Sequence, residues 1–176
     1  MELTTERLLL REFRRDDLAA IQVYASDPEV SRFMPWGPNA IEETAAFLTH
    51  VIGQASVEPR TTYSLAIVTD TVIGSISISV DREPMRQQGE MGYVLRRPSW
   101  GQGYATEAGL AMLRFGFDNL GLHKIAATCD PENHASARVL TKLGMHREGY
   151  LAEHVYIRGE WRDRLLFGKI QDREAS

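Results

Sequence analysis

Residues 92–106 read Gly-Tyr-Val-Leu-Arg-Arg-Pro-Ser-Trp-Gly-Gln-Gly-Tyr-Ala-Thr. A strand-like run meets a Pro-containing turn, then two glycines one residue apart, then the start of a helix. Gly101 and Gly103 lack Cβ atoms, so the backbone there can bend freely and approach a ligand closely. Backbone N–H groups that converge at the positive end of a helix dipole suit a phosphate or diphosphate. Two common phosphate binders do not fit. A P-loop carries Lys and then Ser or Thr after its last glycine, whereas Tyr104 and Ala105 follow Gly103. A dinucleotide fingerprint has Gly or Ala three positions past its second glycine, where Thr106 stands. Alone, the pattern is better read as a plain strand–turn–helix connection.

A second stretch, residues 130–145, reads Asp-Pro-Glu-Asn-His-Ala-Ser-Ala-Arg-Val-Leu-Thr-Lys-Leu-Gly-Met. Asn133 and Ser136 are three apart and share a helix face, which continues as the apolar Val139, Leu140 and Leu143. Two polar residues at the head of a core-facing stripe need partners. On spacing alone, Asn133 reads as a helix cap and Ser136 as bonded to local backbone.

Trp100-Gly101-Gln102-Gly103-Tyr104-Ala105 resembles the acetyl-coenzyme A loop of the GNAT N-acetyltransferase superfamily, a variable residue followed by Gly-x-Gly-x-(Gly/Ala). Trp100 departs from the Gln or Arg often found first, at a position that chiefly supplies backbone. Residues 130–145 look like the second signature of that superfamily. Their form, Asn-x-x-Ser-x-x-x-Leu-x-x-Leu-Gly-Met, is similar to the branch that includes ribosomal-protein N-terminal acetyltransferases. Thr5-Glu6-Arg7-Leu8-Leu9-Leu10-Arg11 and Gly159-Glu160-Trp161-Arg162-Asp163 also look like that branch, so the resemblance spans essentially the whole chain.

The 176 residues suit one domain, taken as residues 1–176. With 43% hydrophobic and 25% charged residues, the composition is that of an ordinary soluble domain. No apolar run approaches the roughly twenty residues of a membrane span, and no basic-then-apolar leader is seen, so a cytoplasmic protein without membrane contact is expected. Cys129 is the only cysteine, which rules out an internal disulfide or a thiolate zinc cluster. His50, His123, His134, His146 and His154 show no ligand spacing on one helix face, so no metal is expected. A net charge of -4 argues against nucleic acid and is compatible with a cationic amine. A homodimer is plausible, and no sequence feature fixes it.

Periodicity predicts strands over residues 2–13, 62–68, 72–80, 90–96, 124–129, 155–157 and 161–170, with a turn at Arg158-Gly159. Helices are predicted over residues 16–24, 41–52, 106–118 and from residue 131 or 133 to 143, where Gly144 ends the last. Residues 27–38, with three prolines, read as a broken helix and loop. The class is α+β, a mostly antiparallel mixed sheet flanked by helices. The resemblance implies the GNAT fold.

The resemblance also implies acetyl transfer from acetyl-CoA to a primary amine. Tyr93, Val94, Leu95 and Arg96 would pair with the pantetheine arm through backbone groups, and Gly101, Gln102, Gly103, Tyr104, Ala105 and Thr106 would hold the diphosphate. Asn133 would bond the pantetheine, and Ser136 would meet the departing thiolate as a proton or hydrogen-bond donor. Glu90, four residues before Val94, is the proposed base, beside the equally good reading of a structural carboxylate. Val155 aligns where some relatives carry a glutamate, which leaves Glu153 and His154 as the nearest substitutes. Phe33 and Trp36 read either as acceptor-site wall or as core anchors of a surface loop, and Tyr150 is placed on the acceptor side. Polar residues 81–89 are expected to edge the acceptor mouth or form a simple hairpin. Branch similarity favours a protein N-terminus as acceptor. A small amine or antibiotic, a non-catalytic acyl-CoA-binding module and a nucleotide-binding protein remain the alternatives.

Overall fold

The computed structural model describes residues 1–81, 83 and 85–171. Arg82 and Pro84 of the expected mouth loop, and residues 172–176 of the expected domain, lie outside the described residues. The strands are β1 (Glu2–Thr4), β2 (Leu9–Arg11), β3 (Thr62–Val68), β4 (Val72–Asp81), β5 (Gln88–Leu95), β6 (Lys124–Cys129), β7 (His146–Ile157) and β8 (Glu160–Ile170). The helices are α1 (Leu18–Ala25), α2 (Pro28–Ser31), α3 (Ile41–Gln54), α4 (Tyr104–Arg114) and α5 (His134–Lys142). Among the described residues the strands form one sheet in the order β1-β2-β3-β4-β5-β6-β8-β7. Neighbours run antiparallel except β5 and β6, which are parallel.

Both sheet faces are covered, which explains why Leu65, Ala66, Ile67 and Val68 of β3 are all buried. Leu65 and Ile67 join a core with Met112 of α4 and Leu140 of α5. Ala66 and Val68 join a second core with Ile21 of α1 and Leu48 of α3. The same alternation sends Leu95 into the first core and Val94 into the second.

Several local expectations are corrected. Residues 2–13 form two strands, because a turn closes between them. Thr5 N–H donates to Leu8 O at 2.9 Å, and Leu8 N–H donates to Thr5 Oγ1 at 2.9 Å. The helix expected from residue 106 starts at Tyr104 and changes at Phe115–Asn119 to a π-helical turn. Gly116 lies in that turn, where a Cβ would sit 2.6 Å from Ile125. The strand expected over residues 155–157 begins at His146 and carries register breaks between Arg147 and Gly149 and between Leu151 and Val155. These breaks interrupt the period-two pattern, so the full strand could not be seen as alternation.

One feature of the sheet positions the site. β5 and β6 pair only from Gln88–Lys124 to Glu90–Ala126, although β5 continues to Leu95 and β6 to Cys129. Beyond that point each strand keeps its other neighbour. β5 stays with β4 as far as Gly74–Leu95, and β6 stays with β8 as far as Cys129–Leu165. The two parallel strands therefore splay and leave a gap.

Candidate active site

A cavity of about 520 Å³ lies on the β5 side of this gap. Its walls are Tyr93, Val94 and Leu95 of β5, the turn and head of α4 from Ser99 to Gly101 and from Gly103 to Thr106, the head and flank of α5, and Glu29, Val30 and Arg32 to Met34 around α2.

The β5 wall offers backbone. Arg96 N–H donates to Ile73 O at 2.8 Å, which fixes the phase of the β4–β5 ladder. By antiparallel alternation, Val94, Gly92 and Glu90 point their peptide groups at β4, and Tyr93 and Leu95 point theirs into the gap. Leu95 O accepts from Trp100 Nε1 at 2.8 Å, so the indole ties the turn to the strand end.

The turn after β5 runs through a 3-10 turn at Arg97–Ser99 and two left-handed glycines, with φ of 74° at Gly101 and 83° at Gly103. Both need the freedom that glycine supplies. Gly103 precedes the first turn of α4, and the Glu107 N–H donation to Gly103 O at 3.0 Å is its first helical bond. The N–H groups of Tyr104, Ala105 and Thr106 thus remain at the positive helix end, facing a cavity those residues line. From outside, Arg7 braces the loop. Its guanidinium donates to Gln102 O at 3.0 Å and to Glu107 at 2.7 Å, and lies 4.7 Å from the Tyr104 ring centre. Burial would raise the Glu107 pKa, but hydrogen bonds from Thr5 and Arg7 outweigh it and hold the carboxylate below its ordinary value.

The head of α5 is capped by Asn133, whose Oδ1 accepts from Ser136 N–H at 3.1 Å. Ser136 Oγ lies 2.9 Å from Tyr93 Oη, across the gap. Burial pushes the Tyr93 phenol up to about 12. Burial also raises the pKa of the nearby Cys129 thiol, the free cysteine at the end of β6.

The opposite wall is tied by guanidinium groups. Arg164, buried and with its pKa pulled down by burial, donates to Phe33 O at 3.2 Å. Buried Asp130 accepts from Arg162 at 3.1 Å and from Glu132 N–H at 2.9 Å. At the β7–β8 turn, Arg158 donates to the carbonyls of Ser31, Trp36 and Gly37 at 3.0, 3.0 and 2.6 Å.

Of the residues singled out from sequence, the cavity gathers Tyr93, Val94, Leu95, Gly101, Gly103, Tyr104, Ala105, Thr106, Asn133, Ser136 and Phe33. Gln102 is turned away, its side chain donating to Pro98 O at 2.8 Å. Arg96 bonds Ser99 Oγ at 3.2 Å, behind the turn. Trp36 packs against the second core and does not line the cavity. Tyr150 is exposed on β7 and donates to Asp163. Glu90 is exposed on β5, paired with Ser79 and Ala126 where the strands still touch. Four residues of strand put it about 13 Å from Val94, outside the cavity. Sequence reasoning missed Glu29, Arg32, Arg138 and Lys142, which also line it. His134, Arg138 and Lys142 recur every four residues on α5, a signal that was there to read.

A glycine turn at a positive helix end, a strand edge turned away from β4 and a hydroxyl thus line one cavity. The model of the acetyltransferase (GNAT) domain family matches residues 7–146. An uncharacterized N-acetyltransferase, YnaD of Bacillus subtilis, is 34% identical over 98% of both chains. A GNAT-family acetyltransferase from Bacillus anthracis is 32% identical with a TM-score of 0.86, over 97% of this chain and 98% of that one. The ribosomal-protein-S5-alanine acetyltransferase of Vibrio fischeri is 26% identical with a TM-score of 0.81, over 98% and 97%. Mycobacterium smegmatis RimJ, solved in complex with CoA-disulfide, is 26% identical with a TM-score of 0.83, over 93% and 82%.

Proposed function

Because this chain belongs to the GNAT acetyltransferase family, we propose that it moves an acetyl group from acetyl-CoA to a primary amine by direct attack in a ternary complex. The observation that carries the reading is the gap itself. It brings together the N–H groups at the head of α4, the peptide edge of Tyr93 and the N–H of Leu95 on β5, and the Ser136 hydroxyl beside that edge.

Acetyl-CoA supplies the activated acetyl group. The N–H groups of residues 103–106 hold the diphosphate, and α5 adds positive charge through Arg138 and Lys142. The edge of β5 pairs with the pantetheine arm like an added strand. Asn133 keeps Oδ1 for its cap, and its Nδ2 donates to a pantetheine carbonyl. The N–H of Tyr93 or Leu95 meets the oxygen on which negative charge develops. As the amine nitrogen bonds to the acetyl carbon and the carbon–sulfur bond breaks, Ser136 Oγ–H donates to the departing sulfur.

The acceptor enters past Phe33 and Met34, where the carboxylate of Glu29 attracts a cationic amine. Glu90 stands outside the cavity, so water carries the amine proton away. A Glu90→Gln enzyme with a collapsed pH–rate profile overturns this point. The name of the Vibrio relative supports a protein N-terminus as acceptor. The test is release of CoA thiol from acetyl-CoA with a panel of N-terminal peptides and small amines. Turnover with an alanine-initiated peptide supports the reading. Acetyl-CoA that binds but acetylates no member of the panel favours an acyl-CoA-binding module.

A further inference from the structure

The acetyl-transfer reading leaves the half-buried phenol of Tyr93 without a task. Tyr93 reaches from β5 to the head of α5, with its phenol oxygen 2.9 Å from Ser136 Oγ and 3.3 Å from Ser136 O. Its ring packs against the first core, which restricts where that oxygen can go. A phenol has one hydrogen to give, a carbonyl only accepts, and a serine hydroxyl does both. When the phenol donates to Ser136 Oγ, the serine hydrogen is displaced from Tyr93 and turned elsewhere. One alternative direction is the Cys129 thiol, a weak acceptor while neutral. The other is the cavity.

The geometry points to Tyr93 as a positioning residue for Ser136: its O–H donates to Ser136 Oγ and thereby turns the serine hydrogen toward the sulfur of the coenzyme. The inference rests on the role proposed above for Ser136. Burial keeps the phenol protonated through the neutral range, so it remains a donor and does not itself lose a proton. A hydroxyl that accepts one hydrogen bond donates a second more strongly, so the pair acts as a short chain ending at sulfur.

The experiment reads the thiol of bound CoA and needs no acceptor. CoA alone is titrated on the full-length protein, and thiolate absorbance is taken as the difference between complex and free protein. The neighbouring ionisable groups then cancel to first order. They are Tyr93 on β5, Cys129 and Asp130 at the end of β6, Arg147 on β7, Arg164 on β8, and His134 and Arg138 on α5. A hydrogen bond to a charged acceptor is expected to lower the bound thiol's pKa by about one pH unit. Ser136→Ala should abolish that lowering. Tyr93→Phe should remove half or more of it, and the double variant should match Ser136→Ala.

If Ser136→Ala moves the thiol and Tyr93→Phe does not, the Tyr93 inference falls and the Ser136 role stands. Additive effects in the double variant overturn it as well. A thiol that ignores Ser136→Ala overturns the Ser136 role and this inference together, and a protein that binds no CoA overturns the coenzyme reading beneath both. Should Tyr93→Phe fail to fold, 3-fluorotyrosine at position 93 keeps the ring and gives a stronger donor. It should lower the bound thiol's pKa further, and an unchanged titration counts against the inference.

Discussion

On the coenzyme side of the cavity the wall is mostly main chain. Tyr93 and Leu95 face it with peptide groups, and the left-handed Gly101 and Gly103 bend the chain into the head of α4. On the acceptor side the wall is held by side chains that reach across the fold. Arg158 and Arg164, from the β7–β8 hairpin, bind carbonyls of Ser31, Trp36, Gly37 and Phe33, more than 120 residues away in sequence. The first wall suits a ligand shared by many enzymes, since backbone geometry survives changes of side chain. The second is free to vary with the acceptor, since its shape depends on a few long-range contacts. Under the proposed function, the second wall is the one that sets specificity for the amine.

The strongest test of this division removes the hydroxyl that stands between the two walls. Ser136→Ala should lower kcat about a hundredfold while leaving CoA affinity within twofold, as calorimetry and steady-state kinetics would read. A rate within threefold of the parent removes Ser136 from the chemistry. Next in size is Gly103→Val. A left-handed residue bearing a Cβ costs about 1–2 kcal/mol, and the branched side chain crowds Arg7, which lies 3.4 Å from that Cβ position. CoA affinity should fall tenfold or more. Unchanged affinity would mean that the loop does not hold the diphosphate.

Arg158→Ala probes the other wall. Loss of its bonds to three carbonyls should cost about 1 kcal/mol, or a melting point lower by about 2–4 °C. The acceptor KM should rise severalfold with CoA affinity unchanged. If CoA affinity falls in step, the two walls are not independent. The smallest effect concerns pH. Glu107 has a folded-state pKa below its ordinary value of 4.5, so its contribution is present above that value and is lost as pH falls through the depressed one. Acid should therefore loosen Arg7 from the coenzyme loop, and CoA affinity should drop at low pH. Glu107→Gln should flatten that dependence, as binding measured across the acid range would show.

Much of the first wall was legible because its residues lie together in the chain. The strand, turn, glycines and helix head of residues 92–106 are contiguous, and Asn133 and Ser136 share one helix turn. The Arg158-Gly159 turn was legible too, since both residues take positive φ there, 51° and 86°. The division of residues 2–13 was not, because Thr5 closes that turn without a glycine or proline to announce it. The distance of Glu90 from the cavity also escaped, since an offset of four along a strand says nothing about where a parallel neighbour diverges. Trp36 and Tyr150 have the residue types of a pocket wall, yet packing on the second core and a bond to Asp163 place both away from the cavity.

The chain by itself determined most of the elements and the amide-lined turn, because these follow from short-range periodicity and from the steric freedom of glycine at Gly101 and Gly103. Only the tertiary structure decided that β5 and β6 part after Glu90 and Ala126, that Tyr93 meets Ser136, and that Arg158 fastens the hairpin to residues 31–37. Those arrangements depend on competition among neighbours distant in sequence, each strand keeping the partner that pairs along more of its length.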